Sequence, residues 1–132
     1  MTAQAQRQTP AERQAGFTLI ELLVVVAIIG ILAAIAMQAM GRYRMQAYDA
    51  AAIHDLANAV KAEEAYYATT QQYVSFSAVG PSTVTTPSTS ISGTVTVNMV
   101  ADTASFSGTA VSSRGSGKVY AYDSITDTYL AN

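Results

Sequence analysis

The sequence predicts an α+β protein with one long N-terminal α-helix, apolar in its first half and amphipathic in its second, packed on a small antiparallel sheet. Three observations favour this class. Every residue from Leu22 to Met37 is apolar or glycine, and an alanine-rich segment without proline follows as far as Ala68. Short stretches of alternating apolar and polar residues occupy the last third of the chain. At 132 residues there is room for one small folded head and no second core.

The apolar run has the length of a membrane span. Together with Phe17 to Glu21 it makes about 20 residues, enough to cross a hydrocarbon core at ~1.5 Å per residue. A polar stretch precedes it, and no small-residue cleavage site follows it, so we expect a retained membrane helix over residues 17–41. Basic residues lie on both sides of the span, and charge alone leaves its orientation open: Arg7, Arg13, Arg42 and Arg44.

The second half of the helix is predicted over residues 42–70. Alanine is a strong helix former, and apolar residues recur at spacings of three and four. These residues predict one face that packs on the sheet: Ile53, Leu56, Ala57, Val60 and Tyr67. The charged residues are expected largely on other faces: Asp49, Asp55, Lys61 and Glu63. The helix is expected to stop between Thr69 and Gln72.

Residues 71–132 are predicted to form a loop and a β-sheet head. The Ser/Thr-rich segment Ser82 to Ser92 contains Pro87 and is interpreted as a loop. Alternating segments predict strands at 94–99, 104–107, 118–122 and 128–130, with turns at 102–103 and 113–117. We therefore expect three or four antiparallel strands over the apolar face of the second helix half.

Composition and charge narrow the possible functions. The net charge is −2 and the basic residues form no patch, which argues against nucleic acid as a partner. The absence of cysteine excludes disulfides and thiol chemistry. No nucleophile–base pair, phosphate loop or metal-ligand cluster is evident in the sequence. We expect no enzyme, no cofactor and no metal site.

The segment Gly16-Phe17-Thr18-Leu19-Ile20-Glu21, with the apolar run behind it, resembles the class III signal of type IV pilins. Pseudopilins of type II secretion share this signal. The resemblance implies the pilin fold, removal of residues 1–16 as a leader peptide by prepilin peptidase, and N-methylation of Phe17. It also implies a precursor in the inner membrane with a cytoplasmic leader. The mature chain would form a homopolymer, through an inner-membrane assembly platform, as a surface filament for motility, adhesion or DNA uptake.

Glu21 is an ionisable residue at the start of an uninterrupted apolar helix, where an unpaired charge is costly. Cleavage after Gly16 would create an amine on Phe17, four residues before Glu21. In a filament the amine of an incoming subunit would meet Glu21 of its neighbour, and the pair would set the register of assembly. The alternative is a carboxylate at the headgroup interface of an ordinary membrane anchor.

The sequence departs from the pilin pattern in two places. Gln38 stands where most members of the family carry proline, so a proline kink is not expected, and the paired cysteines of many pilin heads are missing. A type II secretion pseudopilin is an alternative, although Tyr73 is followed by Val74-Ser75 and not by the Pro-Thr typical of major pseudopilins. A non-polymerising, membrane-anchored binding domain is a second alternative.

Four weaker signals have plainer interpretations. His54 is expected to have a surface or packing role, since there is no second histidine. A calcium site formed by Asp102, Asp123 and Asp127 is less favoured than plain turns. The Ser/Thr segment could carry O-linked sugars. An aromatic path for electrons is less favoured than packing for Phe17, Tyr43, Tyr48, Tyr66, Tyr67 and Tyr73.

Overall fold

A computed structural model describes residues 16–132 of the chain. It has the predicted α+β architecture, in which helix α1 (Leu19–Thr70) is followed by a small antiparallel sheet and a separate hairpin. The predicted leader falls outside the described residues, except for Gly16. The strands are β1 (Phe76–Val79), β2 (Ser82–Thr85), β3 (Ser88–Ile91), β4 (Val95–Ala101), β5 (Phe106–Ser112), β6 (Val119–Asp123) and β7 (Thr128–Ala131).

The chain divides into two compact units between Met37 and Gln38. In the first unit the described residues of α1 are exposed, and large apolar side chains such as Leu23 and Ile28 lie open on all sides. Within residues 16–132, α1 is the helix with the length and apolarity to cross a membrane. A helix that is apolar all round needs an apolar environment, in lipid or among other helices.

The second unit is built on a five-stranded antiparallel sheet with strand order β1-β4-β5-β6-β7, beside the two-stranded β2-β3 hairpin. Val97 at the centre of β4 pairs with Ala78 of β1 on one side and with Ala110 of β5 on the other. Alternate residues of β4 and β5 are buried, as expected for strands with one covered face. The four strands predicted from the alternation correspond to β4, β5, β6 and β7.

The helix packs on the sheet through a stripe of small and medium side chains. Ala52, Leu56 and Ala59 are fully buried and belong to the same apolar cluster as the inward residues of β4 and β5. Gly108 on β5 permits the close approach, because a Cβ there would overlap both Met99 Sδ and Leu56 Cδ1. The second half of α1 therefore has one buried face that packs on the sheet, as predicted.

The prediction of a loop over Ser82 to Ser92 is wrong. This segment forms the β2-β3 hairpin, in which Val84 pairs with Thr89 and Ser82 pairs with Ile91. Its side chains alternate in burial, with Thr89 and Ile91 inward on β3. The segment shows no clear alternation of apolar and polar residues, because the small side chains of serine and threonine can lie on either face of a hairpin. Strand β1 was also missed, so the head has more strands than the three or four expected.

The expected position of the acidic residues is also wrong for three of them. Asp49, Asp55 and Glu63 are buried on the sheet-facing side of α1, whereas Ile53, predicted to face the core, is largely exposed. Lys61 is exposed, as predicted. Each buried carboxylate accepts at least one hydrogen bond from a loop of the head, which offsets part of the cost of burial. For Glu63 the offset is incomplete, because its Oε1 is buried with no partner among the described residues.

Aromatic rings form a continuous series along one end of the core. Tyr67 at the end of α1 stacks on Tyr73 with ring centroids 4.4 Å apart, and Phe106, Tyr122 and Tyr129 follow in contact. Burial, together with a hydrogen bond to Asp127, raises the pKa of Tyr122 to about 12. Its hydroxyl therefore stays protonated and donates to Asp127. The packing interpretation of Tyr67 and Tyr73 agrees with these contacts.

Candidate assembly site at the start of the helix

The predicted cut between Gly16 and Phe17 lies just before the first residue of α1. Both residues are exposed, and the Phe17 side chain is 84% accessible. No described atom lies within 4 Å of the position that a Cβ on Gly16 would take. No residue from 18 to 132 therefore covers the peptide bond between the two residues.

Thr18 and Glu21 cap the N-terminus of the helix reciprocally. The Thr18 N–H and its Oγ1 hydroxyl each donate to Glu21 Oε2 at 2.8 Å, and the Glu21 N–H donates to Thr18 Oγ1 at 3.3 Å. This is the capping box, in which Thr18 is the N-cap residue and Glu21 is the third helical residue. It satisfies N–H groups that would otherwise have no partner at the start of an apolar helix.

The same bonds fix the position of the Glu21 carboxylate. Oε2 accepts both hydrogen bonds from Thr18, while no described residue donates to Oε1. The negative charge also lies at the positive end of the helix macrodipole, which favours it there. Glu21 therefore has one oxygen engaged within its own chain and one oxygen available to an outside donor.

Apolar side chains lie next to Glu21 at the start of the helix. Phe17, Ile20, Val24 and Val25 line a shallow cleft of about 350 Å³ together with Glu21, and the surface of this cleft is apolar. The Glu21 carboxylate itself is exposed to solvent. An apolar segment of a partner could therefore cover the cleft while a positive group that it carries meets the carboxylate beside it.

The other sequence-predicted candidates lie apart from this site. His54 is exposed on α1, where Nδ1 lies 3.2 Å from Asn58 Nδ2 and 3.8 Å from Asp55 Oδ1. Asp102 and Asp123 line one small cavity of about 210 Å³, but Asp127 is elsewhere, bonded to Tyr122. In the described part of the chain, no three acidic or histidine side chains gather as a metal site.

The predictions from sequence missed two features of this chain. Thr18 was not recognised as the partner of Glu21, although a threonine followed three residues later by glutamate before an apolar run is the signature of a capping box. The buried carboxylates were also missed. Asp49 accepts from the Ser116 N–H and hydroxyl, Asp55 accepts from Ser92, and Glu63 accepts from the Val74 N–H.

Comparison with known proteins agrees with the geometry of the helix start. The described chain has a capped acidic residue at the start of an exposed apolar helix that is long enough to cross a membrane, followed by an α+β head. Residues 12–37 match the family model described as the prokaryotic N-terminal methylation motif. The chain thus carries the class III signal of type IV pilins and pseudopilins. No curated protein matches the chain.

Proposed function

We propose that the chain is the precursor of a type IV pilus subunit, which is cut after Gly16, N-methylated on Phe17 and polymerised into a helical surface filament. The observation that carries this proposal is the Thr18–Glu21 capping pair at the start of an exposed apolar helix. The methylation motif supports a pilin or pseudopilin-like subunit independently.

The first step is hydrolysis of the Gly16–Phe17 peptide bond by prepilin peptidase. Water is consumed, a carboxylate forms on Gly16 and an amine forms on Phe17. The exposure of both residues and the open space around Gly16 support access by a peptidase. The amine is protonated at neutral pH, and methylation keeps its positive charge while it adds apolar surface.

The second step pairs this amine with the Glu21 carboxylate of a neighbouring subunit. Oε1 has no described donor, so an ammonium group can approach it without displacing Thr18 from Oε2. Among the apolar helices of a filament core both charges would lose their solvent screening, and a neighbour in the wrong register would leave both of them unpaired. The charge pair therefore selects one axial register among many apolar alternatives.

Cohesion along the filament comes from the apolar helices. Before assembly, lipid of the inner membrane covers residues 17–41, and an assembly platform transfers the subunit from lipid into the filament. Contacts between neighbouring helices bury apolar area at roughly 25 cal/mol per Å². Such contacts are head-to-tail, and identical subunits continue into a helical fibre when the rotation between neighbours does not close into a ring.

The proposal is tested by mass spectrometry of sheared surface material and by two substitutions at Glu21. We expect a mature N-terminus at methylated Phe17, and uncut precursor in the membrane for Gly16→Val. Glu21→Gln keeps an acceptor for the capping box but removes the charge, whereas Glu21→Ala removes both. Both variants should be cut normally and fail to form fibres. Normal fibres from Glu21→Gln would refute the register role of the charge.

A type II secretion pseudopilus is the second candidate, because the methylation motif is common to both systems. The sequence Tyr73-Val74-Ser75 after the helix favours the pilus. Long fibres in the medium of shaken cells support the pilus, whereas a processed subunit that stays in the envelope supports the pseudopilus. A processed subunit that remains monomeric in the membrane would support the membrane-anchored binding domain.

A further inference from the structure

The part of α1 that follows the predicted membrane span is exposed before the helix meets the sheet. Every residue from 40 to 47 is exposed, and Asp49 is the first residue of α1 that is buried. This exposed segment contains Arg42, Tyr43 and Arg44, all of which belong to the second unit. Arginine and tyrosine directly beside an apolar span are typical of the headgroup region of a bilayer, because each has an apolar body and a polar tip.

The head brings a further cation to the same end of its helix. The Ser116 N–H and hydroxyl donate to the buried Asp49 carboxylate at 2.9 and 2.6 Å, and these bonds hold the β5–β6 loop against α1. In this loop the exposed Arg114 has its guanidinium carbon 5.0 Å from the centroid of the Tyr48 ring. Arg44 and Tyr48 are four residues apart and therefore lie on one face of α1, about one turn from each other. The fold thus places Arg114 beside the arginines of the helix.

Carboxylates of the described residues do not neutralise this positive charge. Lys118 at the end of the same loop is also exposed, and no described carboxylate lies within ion-pair distance of it or of the three arginines. Exposed acidic residues such as Glu64 and Asp102 lie toward the other end of α1, since Glu64 is in its last two turns and Asp102 lines a cavity with Gln71. The expectation that the basic residues form no patch is therefore wrong for these four.

We propose that this basic end of the head, formed by Arg42, Arg44, Arg114 and Lys118, binds the phosphate headgroups of acidic phospholipids while the precursor lies in the membrane. Four or more basic residues beside a span attract acidic lipids, and each residue at the surface raises the preference by up to about fivefold. Side chains of an α-helix lean toward its N-terminus, so both arginines of α1 lean toward the span. Arginine also forms two parallel hydrogen bonds with one phosphate group.

A second copy of the chain is the other candidate partner for this basic end. In a head-to-tail contact, the basic end of one head would meet the acidic end of the next. The position of Arg42 directly after the predicted span favours lipid, because the headgroups of a bilayer reach this level of the helix in every membrane-bound copy. The proposal rests on the membrane-bound precursor that the proposed function includes, and it does not depend on cleavage or polymerisation.

The test is native mass spectrometry of the uncut full chain, released from detergent micelles with equal amounts of phosphatidylglycerol and phosphatidylcholine that carry the same acyl chains. We expect phosphatidylglycerol adducts to exceed phosphatidylcholine adducts about tenfold, and this ratio to fall as salt is added to the micelles. Equal binding of the two lipids overturns the proposal. Release of phosphatidylglycerol by inorganic phosphate, but not by chloride at the same ionic strength, overturns the lipid as the ligand and indicates a simple anion site. Because the uncut chain is measured, a failure of cleavage or fibre formation does not affect the result.

Substitutions to glutamine locate the binding surface. Arg42→Gln and Arg44→Gln should each lower the lipid ratio about threefold, and Arg114→Gln, further from the span, about twofold. Lys61→Gln is the matched control, because it removes the same charge from an exposed position of the same helix far from the span, and it should leave the ratio unchanged.

Three outcomes would contradict this assignment. An equal fall in Lys61→Gln and Arg44→Gln would show an effect of net charge and overturn a localised surface. An unchanged ratio in Arg114→Gln would remove the β5–β6 loop from the surface. An unchanged ratio in Arg42→Gln and Arg44→Gln, together with a loss of fibres, would overturn lipid binding in favour of a contact between subunits.

Discussion

The bond network between Asp55 and Ser92 should be one of the strongest single links between α1 and the head. Asp55 is 2% exposed, and its carboxylate accepts from the Ser92 N–H at 2.7 Å and from the Ser92 hydroxyl at 3.1 Å. The Ser92 carbonyl accepts in turn from the Val95 N–H at 3.0 Å, where β4 begins. The perturbation is Asp55→Ala, which removes the acceptor and leaves the turn between β3 and β4 without its link to the helix.

The size of the effect follows from the two bonds. A hydrogen bond to a charged group contributes about 1.5 kcal/mol or more, so Asp55→Ala should lower the free energy of unfolding by about 3 kcal/mol. Water can reach Ser92, which is exposed, and this limits the penalty for its unpaired N–H. Ser92→Ala removes the longer bond alone and should cost about 1 kcal/mol. In the Asp55→Ala background, Ser92→Ala should cost almost nothing.

The assay is denaturant unfolding of the full chain in detergent, followed by near-ultraviolet circular dichroism. The packed rings of Tyr67, Tyr73, Tyr122 and Tyr129 provide a signal that reports the tertiary structure of the head. A double-mutant cycle over Asp55 and Ser92 gives the coupling energy, expected at about 1 kcal/mol. Additive effects of the two substitutions, or a loss below about 0.5 kcal/mol for Asp55→Ala, would refute a direct link.

Three further outcomes are expected. Burial raises the pKa of Glu63; the hydrogen bond from the Val74 N–H offsets part of this shift, and the nearby Glu64 charge adds to it. The free energy of unfolding should therefore fall as pH rises from about 4.5 through the raised pKa of the folded state. In a series of unfolding curves at different pH, Glu63→Gln should flatten this dependence and be more stable than the parent chain at neutral pH, and an unchanged slope would contradict the prediction. Gly108→Ala should lower the unfolding free energy by about 1–3 kcal/mol through overlap with Met99, whereas Gly93→Ala, with ordinary contacts, should not. Thr18→Val removes the hydroxyl that bonds to Glu21 and should reduce the yield of sheared fibres, whereas Thr18→Ser keeps the hydroxyl and should give the yield of the parent chain. Equal yields from the valine and serine variants would exclude a role for the capping hydroxyl.

The apolar half of the helix was predictable because its signal is local. The run of apolar residues from Leu22 to Met37 can be identified from composition and length alone, and these residues are exposed in the described structure. Gly16, Phe17 and Glu21 could be chosen as candidate residues from the sequence alone, because they lie directly before this run. Their roles in cleavage, methylation and register stay predictions for the experiments above.

The buried carboxylates show where sequence reasoning failed. Asp49, Ala52, Leu56, Ala59 and Glu63 follow one another at spacings of three and four, and all of them lie on the face of α1 that meets the sheet. The spacing was present in the sequence, but only apolar residues were used to define the buried face, and the two acidic residues were expected on other faces. Their partners are loop residues far away in the chain, such as Ser116, and only the folded head brings them together.

The prediction of a loop where the β2-β3 hairpin lies was wrong for a related reason. Its serine and threonine residues carry no preference for an inner or outer face, so composition indicated a loop, and the burial of Thr89 and Ile91 depends on contacts with the rest of the head.

By itself the sequence determined the apolar helix, the acidic residue at its start and the α+β class, because these follow from local composition and periodicity. Tertiary structure alone decided which carboxylates are buried and where the hairpin lies. Those features depend on residues that are distant in the chain, and hydrogen bonds between such residues are strengthened when they form in the buried interior.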